Sequence, residues 1–536
     1  MPARRADATR PGPMAAARTI VAVARVVNQH RVDDAGLATL RRPRAGVVAE
    51  HATGPDDFAA ASGPVREYRR TLRVATRPTP AGAAHEVHEE IRFRLALPYW
   101  GWLFVPVVRR ELGRLPPAGA DEPRRTPWWA PPDRFEPRAA SVLALLCTLA
   151  LVSGYLGTLI TQTITFAADR FDASDRAQGT TLAAVRIGVV LALGLTVLAD
   201  RRGRRLLLVG SAAGSILVTA TGALAPGLVW LGASQTVARG LSTALALLIG
   251  IVAAEELPAG SRAYGVSVLA LSAALGSGMA VWALPLADLG PDGWRILYVI
   301  PLAALPLVAG VGRRLPESRR FRANVTHAPA RVDRGRLRLL AASGFLASMF
   351  LAPASQFQNE FLRTERGFSA ARISLFTIAT STPGGIGVAV GGRLADVRGR
   401  RLVGAVGLVG GATLTVAAYL SSGWALWLAS ALGSVIAAAT VPALGVYGPE
   451  LFPTSQRGRA NGIITLVGVA GSSAGLLAAG ALSDGLGALG PAMAVLAAGP
   501  LLLALLVITV YPETAHRALE DLNPGDEPVE DRPPGP

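Results

Sequence analysis

An ionised side chain inside a long apolar run costs about 2.5–3.5 kcal/mol at a helix centre, so Arg239 stands out from its surroundings. It follows Trp230 at about 13 Å along a helix rising 1.5 Å per residue, near the middle of its run. Gln235, Arg239 and Ser242 are spaced i, i+4, i+7 and share one face. An arginine so placed can clamp a carboxylate through paired hydrogen bonds or shift the pKa of a nearby acid. It can equally lock two helices by pairing with backbone carbonyls. Thr158, Gln162, Thr165 and Asp169 form a second polar stripe at i, i+4, i+7, i+11, ending in a carboxylate that could carry a proton or simply pair with Arg170. Gln356 and Asn359 share a face at i, i+3, suited to a hydroxyl-rich solute or to bridging helices, while Gln358 sits on another face. Arg186 lies about 21 Å of helix before Asp200, towards the opposite leaflet, and ranks lower. Arg239, Gln162, Thr158, Gln235, Gln356 and Asn359 are thus the substrate-binding candidates, and Asp169 is the proton-coupling candidate.

The elements that must position these residues are apolar. Of 536 residues, 51% are hydrophobic and 17% charged, and the mean hydropathy is +0.39, too little polar surface for several water-soluble domains. Cys147, the one cysteine, falls in an apolar run, and six scattered histidines offer no metal-site spacing, so disulfide frameworks, metal sites and cofactors are not expected. No nucleotide-cradling glycine loop occurs, and an enzyme is not the expectation. The first thirty residues lack the apolar core of a secretory signal. Composition changes near residue 138: residues 1–137 hold 22 Arg against 15 acidic residues, and beyond them come twelve runs long enough to cross a hydrocarbon core of roughly 30 Å. These runs cover 139–167, 180–198, 206–225, 228–253, 264–285, 295–312, 339–360, 373–391, 402–420, 424–447, 461–482 and 489–510. Arginine concentrates in alternate loops, at Arg201, Arg202, Arg204, Arg205, Arg262, across 313–338, at Arg393, Arg398, Arg400, Arg401, Arg457 and Arg459. By the positive-inside rule those loops, and with an even number of spans both termini, are cytoplasmic in a cell (inner) membrane. That placement accounts for the net charge of +16 without nucleic acid.

Three motifs repeat at nearly one offset. Asp200-Arg-Arg-Gly-Arg-Arg205 recurs as Asp396-Val-Arg-Gly-Arg-Arg401, Glu255 with Pro258 and Arg262 recurs as Glu450 with Pro453 and Arg457, and Pro316-Glu317-Ser318 recurs as Pro512-Glu513-Thr514. Three unrelated motifs in register imply two six-helix halves made by duplication, the arrangement that alternating access uses. Expected boundaries are 1–137 for an N-terminal region and linker, 138–321 and 339–522 for the halves, 322–338 for a central loop, and 523–536 for a disordered tail. The repeated loop residues Asp200, Gly203, Arg204, Glu255, Arg262, Gly392, Asp396, Gly399, Arg400, Glu450 and Arg457 fall at the cytoplasmic face. Positive-inside topology explains the arginines but not the acids at matching offsets, and a gate of ion pairs that exist only when that face is closed explains both.

Over roughly 138–522 the chain resembles the major facilitator superfamily. Gly392-Arg-Leu-Ala-Asp396-Val-Arg-Gly-Arg-Arg401 looks like that family's signature loop; the first-half copy has Thr196 where a glycine usually sits. Trp294-Arg295, Leu315-Pro-Glu-Ser-Arg-Arg-Phe321, Glu450-Leu-Phe-Pro453 with Arg457-Gly458, and Tyr511-Pro-Glu-Thr514 resemble the sugar-porter-like and metabolite:proton symporter branches. Arg239 resembles the family's helix-4 arginine. The resemblance implies an all-α major facilitator fold and secondary transport of a small polar solute, a sugar-like compound or an organic acid, coupled to protons. Departures are Leu156 after Gly154-Tyr155, where sugar porters carry an aspartate, and Gln356-Phe-Gln-Asn-Glu360 in place of their helix-7 motif. The glycine-proline motif of many drug exporters is also missing, since Gly276-Ser-Gly278 meets no proline before Pro285. The alternatives are a membrane solute sensor that does not transport, with residues 1–137 as its reporter, and an efflux transporter. In the N-terminal region, Glu67–Val74 and Glu86–Leu95 alternate as strands do, and Tyr99–Phe104 with Arg109-Arg110 reads as an amphipathic helix. This resembles a small lipid-binding helix-grip domain and makes the region a candidate for binding lipid or a protein, while 111–137 reads as a linker.

Overall fold

The computed structural model describes residues 23–79, 82–114, 127–173, 181, 184–319, 321, 333–358, 361–368, 370–453 and 455–523. It has two compact units, Met1–Pro127 and Trp128–Pro536.

The first unit is α+β. Strands β1 (Ala24–Val32), β2 (Ala49–Ala52), β3 (Asp57–Ser62), β4 (Val65–Thr79) and β5 (Gly82–Leu95) form an antiparallel sheet in the order β1-β5-β4-β3-β2. The two alternating segments of the sequence are the long strands β4 and β5, whose period-two pattern puts Leu72, Val87, Ile91 and Phe93 inside. Helix α1 (Asp34–Leu40) closes one core cluster around Phe58 and Leu72, and α2 (Gly101–Leu112) closes another through Val108 and Leu112. On its other side α2 exposes Trp102, Leu103, Phe104 and Val107.

The second unit is helical. Ten of its helices among the described residues are long and apolar enough to cross a membrane. They correspond to runs 1, 3–7 and 9–12: Pro137–Arg170, Arg204–Thr221, Leu228–Glu256, Arg262–Ala283, Trp294–Arg314, Arg334–Gln356, Arg400–Leu420, Gly423–Glu450, Arg457–Leu486 and Leu489–Thr509. The runs at 180–198 and 373–391 are represented by shorter helices. Span 2 includes Val189–Arg202 beyond a turn at Gly188, and span 8 divides into Ala370–Ser381 and Gly384–Arg398 at Pro383, which has no N–H to continue the ladder. The halves repeat one packing scheme: span 1 lies on span 5 as span 7 lies on span 11, and span 2 lies on span 4 as span 8 lies on span 10. Between halves, span 5 meets span 8 and span 2 meets span 11. The Thr196 departure is met from the other side at that seam. A β-carbon on Gly458 of span 11 would sit 2.4 Å from the Thr196 carbonyl oxygen, so span 11 carries the glycine that permits the approach.

Candidate functional site

At the arginine-rich end the repeated motifs converge into one buried network. Gly203 and Gly399 turn the chain with φ of +110° and +100°, in the left-handed half of backbone space that favours glycine. Each turn receives a carboxylate: Glu317 accepts the Arg204 N–H at 2.9 Å, and Glu513 accepts the Arg400 N–H at 3.1 Å. A β-carbon at either glycine would lie within 2.8 Å of that carboxylate, which excludes side chains there. Inside the turns Arg204 pairs with Asp200 and Arg400 pairs with Asp396 and Glu450.

The partners then cross between halves. Arg457 Nη1 of the second half donates to Glu255 of the first at 2.5 Å, and Arg262 Nη1 of the first donates to Glu450 of the second at 3.1 Å. Asp200 accepts the N–H groups of Gly458 and Arg459 at 3.1 and 3.0 Å, while Asp396 accepts those of Ala263 and Tyr264 at 3.3 and 2.9 Å. Gly392 lets span 8 press on span 5, because a β-carbon there would sit 2.8 Å from the Ala263 carbonyl oxygen. Arg204, Arg400, Arg457, Asp396 and Glu450 are fully buried. All eleven loop residues singled out in the sequence therefore sit in or against this clasp, which in this structure is shut.

Four participants were not among the gate candidates of the sequence. Glu317 and Glu513 cap the turns, and Ser318 donates to Glu255 at 2.5 Å; the offset shared by 316–318 and 512–514 was the signal that pointed to them. The fourth is the segment before span 1, whose composition is a linker's. Asp133 accepts the Gly260 N–H at 2.8 Å and exchanges two bonds with Ser261, Tyr264 Oη donates to the Trp129 carbonyl at 3.1 Å, and Arg393 of the second half donates to the Ala130 carbonyl. Ala130 and Phe135 are buried, and the Phe135 ring meets that of Tyr264 edge-on. The segment is a strap touching both halves.

The mid-span candidates are spread out. Arg239 is half-buried and donates from Nη1 to the Gly157 carbonyl of span 1 at 2.8 Å. Ser242 bonds to the Arg239 carbonyl on its own helix. Gln235 is buried against span 3, where its amide reaches the Thr219 carbonyl at 3.4 Å, so it packs within the half instead of joining Arg239. Thr158 and Gln162 are half-buried on span 1, and Gln356 is exposed at the end of span 7. Asn359 and the side chains of Thr165 and Asp169 lie outside the described residues. A cavity of about 190 Å³ opens inside the second half among spans 7–10, with Ser355, Gln358, Thr380, Tyr419 and Ser430 on a mainly apolar wall. Among the described residues no cluster has the ligands to hold a metal ion.

Two like six-span halves joined by exchanged ion pairs define a multi-pass membrane protein of the two-repeat kind. Residues 339–532 match the family model for the Major Facilitator Superfamily. The fold agrees: the proton:xylose symporter XylE bound to 6-bromo-6-deoxy-D-glucose superposes with a TM-score of 0.62 at 18% identity, covering 73% of this chain and 99% of that one. The human organic anion transporter MFSD10 superposes at 0.56 with 16% identity, covering 69% and 100%, and the Escherichia coli fucose:proton symporter FucP at 0.57 with 15% identity, covering 69% and 99%. The family match lies within the second half of the membrane-spanning unit, and the likeness in fold extends over both halves. A shorter match, 37% identical over 114 residues, is to the puromycin resistance protein pur8 of Streptomyces alboniger, and spans 22% of that protein and 21% of this chain.

Proposed function

We propose that the chain is a secondary active transporter that moves a small polar solute, a sugar-like compound or an organic acid, by alternating access and with proton coupling. The observation that carries this reading is the exchanged pair of salt bridges, Arg457 with Glu255 and Arg262 with Glu450. Each joins one half to the other, so rocking the halves apart must break both together, while the ion pairs of Arg204 and Arg400 stay within their own halves. A protein that never cycles has no use for two such copies. We read the arginine-rich end as cytoplasmic, and on that reading the closed network corresponds to an outward-facing state.

Dye-loaded proteoliposomes holding the purified chain test this by their lumenal pH when sugars, sugar acids and carboxylates are added. Solute-dependent acidification that vanishes in Arg239→Ala supports proton-coupled transport. Movement of labelled solute without a pH change removes the proton coupling, and no movement of any solute removes the transport reading. The local likeness to pur8 favours export as a second reading, which the same vesicles judge by whether an imposed proton gradient drives solute with or against the protons.

A further inference from the structure

Arg186 and Arg239 are set apart from the other buried arginines of the membrane unit. Arg204, Arg400 and Arg457 each lie against a carboxylate. Neither Arg186 nor Arg239 forms an ion pair among the described residues, and both are half-buried. The crossing of spans 2 and 4 brings them to one level. A β-carbon on Gly188 would lie 2.1 Å from the Thr236 carbonyl oxygen and 3.1 Å from the Gly240 nitrogen, so the two backbones touch beside Arg186 and beside Arg239. Arg186 stands two residues from this contact on span 2 and Arg239 one residue from it on span 4, so the two charges lie at one crossing.

Span 2 also lies at the seam between the halves. Span 2 presents Leu193, Thr196 and Asp200 to Gly458 and Gly462 of span 11. Arg186 lies just before the turn at Gly188, further along span 2 from the arginine-rich end than these seam residues. Arg239 reaches over span 1 to Gly157 with one N–H, leaving the rest of its guanidinium uncommitted.

We infer that Arg186 and Arg239 are the two sides of an oxyanion site between the halves, and that the solute is a small anion, a carboxylate or a phosphate, and not a neutral polyol. This deepens the transport reading and rests on it. Two like charges in a poorly hydrated setting raise each other's cost, and an oxyanion that accepts paired hydrogen bonds from both removes the repulsion and the desolvation penalty together. A neutral polyol would leave both charges uncompensated. Thr158, next to Gly157 on span 1, stands beside this site to meet the remainder of the solute.

The test is equilibrium binding to the full chain purified in detergent, by titration calorimetry with acetate, succinate, gluconate, inorganic phosphate and glucose. At least one anion is expected to bind saturably and glucose not to bind; succinate against phosphate tells a carboxylate site from a phosphate site. Arg186→Gln and Arg239→Gln should each weaken the anion about tenfold or more, and Arg186→Lys should recover most of the loss. A ligand-free measurement guards against misfolding: Arg186→Gln relieves the repulsion and should raise the unfolding temperature, as removal of a strained functional charge does. A fall in that temperature, glucose bound equally by the parent and both glutamine variants, anion binding that survives both, or no anion binding at all would each overturn the site. Failure of the transport reading shows separately, as vesicles in which nothing moves although an anion still binds in the titration.

Discussion

Two buried arginine–carboxylate networks can be compared. In the first unit, Arg70 is fully buried over the Phe58 ring, its guanidinium bonded to Glu50 at 2.7 Å and reaching Glu89 at 3.4 Å, with Arg44 on Glu89 at 2.6 Å. In the membrane unit, Arg400, Arg457 and Arg262 hold Asp396, Glu255 and Glu450 with like geometry. The chemistry is the same and the topology differs. Arg44, Glu50, Arg70 and Glu89 all come from one sheet and its connections, so no motion short of unfolding parts them. The membrane network is divided between two halves, so its ions can be returned to water by a rigid-body rotation. On the proposed transport reading, it is where the chain places the partners that makes a switch of the second network.

The largest expected effect follows from the network that cannot open. Arg70→Ala would strand Glu50 and part of Glu89 in a sealed core and should cost about 3–5 kcal/mol. Hydrogen exchange on β4 and β5 amides of the full chain should show the first unit unfolding while protection in spans 1–12 is unchanged. Loss of protection in both units would make the two networks one cooperative system and break the comparison.

Arg457→Ala leaves Glu255 with Ser318 and, at 3.6 Å, Arg204 of its own half, and removes its bond across the seam, so opening the seam rehydrates it. Part of the penalty, about 1–3 kcal/mol, should therefore appear as a shift of about ten- to a hundredfold towards the open state and not as unfolding. Spin labels at the exposed positions Arg202 and Arg459 would report it as a longer distance across the arginine-rich end. Arg262→Ala should act alike, and a short distance in both variants would show that the exchanged pairs do not hold the seam.

The repeat made much of this legible in the sequence. Equal offsets named Asp200, Glu255 and their copies, because two halves built on one plan put matching residues at matching places. What the offsets could not give was the exchange: Glu255 takes its main partner, Arg457, from the other half's copy, a relation fixed only when the halves dock. The same docking explains why Thr196 is tolerated, its missing glycine being supplied by Gly458. Helical spacing put Gln235 beside Arg239, yet spacing fixes only a face, and the neighbour on Gln235's edge of that face is span 3. The strap was unreadable because a proline-rich stretch between two units has a linker's composition, and its attachments are made mostly through backbone atoms.

Acid should separate the networks further. Burial by itself would raise the Glu89 carboxyl, but Arg44, the Asn28 amide, Arg70 and His30 outweigh it and hold it below its ordinary 4.5. A carboxylate depressed in the folded state adds stability that is full above the unfolded value and is lost as pH falls through the folded one. Protection of β4 and β5 should accordingly decline below about pH 4.5, and in Glu89→Gln that decline should be shallower from a lower start. Equal slopes in parent and variant would remove Glu89 as the group responsible.

The smallest effect concerns the strap, which shares features of both networks. Asp133 ties it to Gly260 and Ser261 within the first half, so that end moves with span 5. Its contact with Arg393 crosses to the second half, so opening must break it or pull the strap away. One part-buried hydrogen bond from a cation to a carbonyl contributes about 1–2 kcal/mol, too little to hold the seam but enough to bias it. Arg393→Ala should therefore speed maleimide labelling of a cysteine placed at the buried Ala130 by about two- to fivefold, in a Cys147→Ser background, with no change in unfolding temperature. Asp133→Ala, which removes one of three bonds at the first-half end, should speed labelling without altering the spin-label distance, because the exchanged pairs remain. If Arg393→Ala leaves labelling unchanged, the strap belongs wholly to the first half, and the seam is held by the exchanged ion pairs without it.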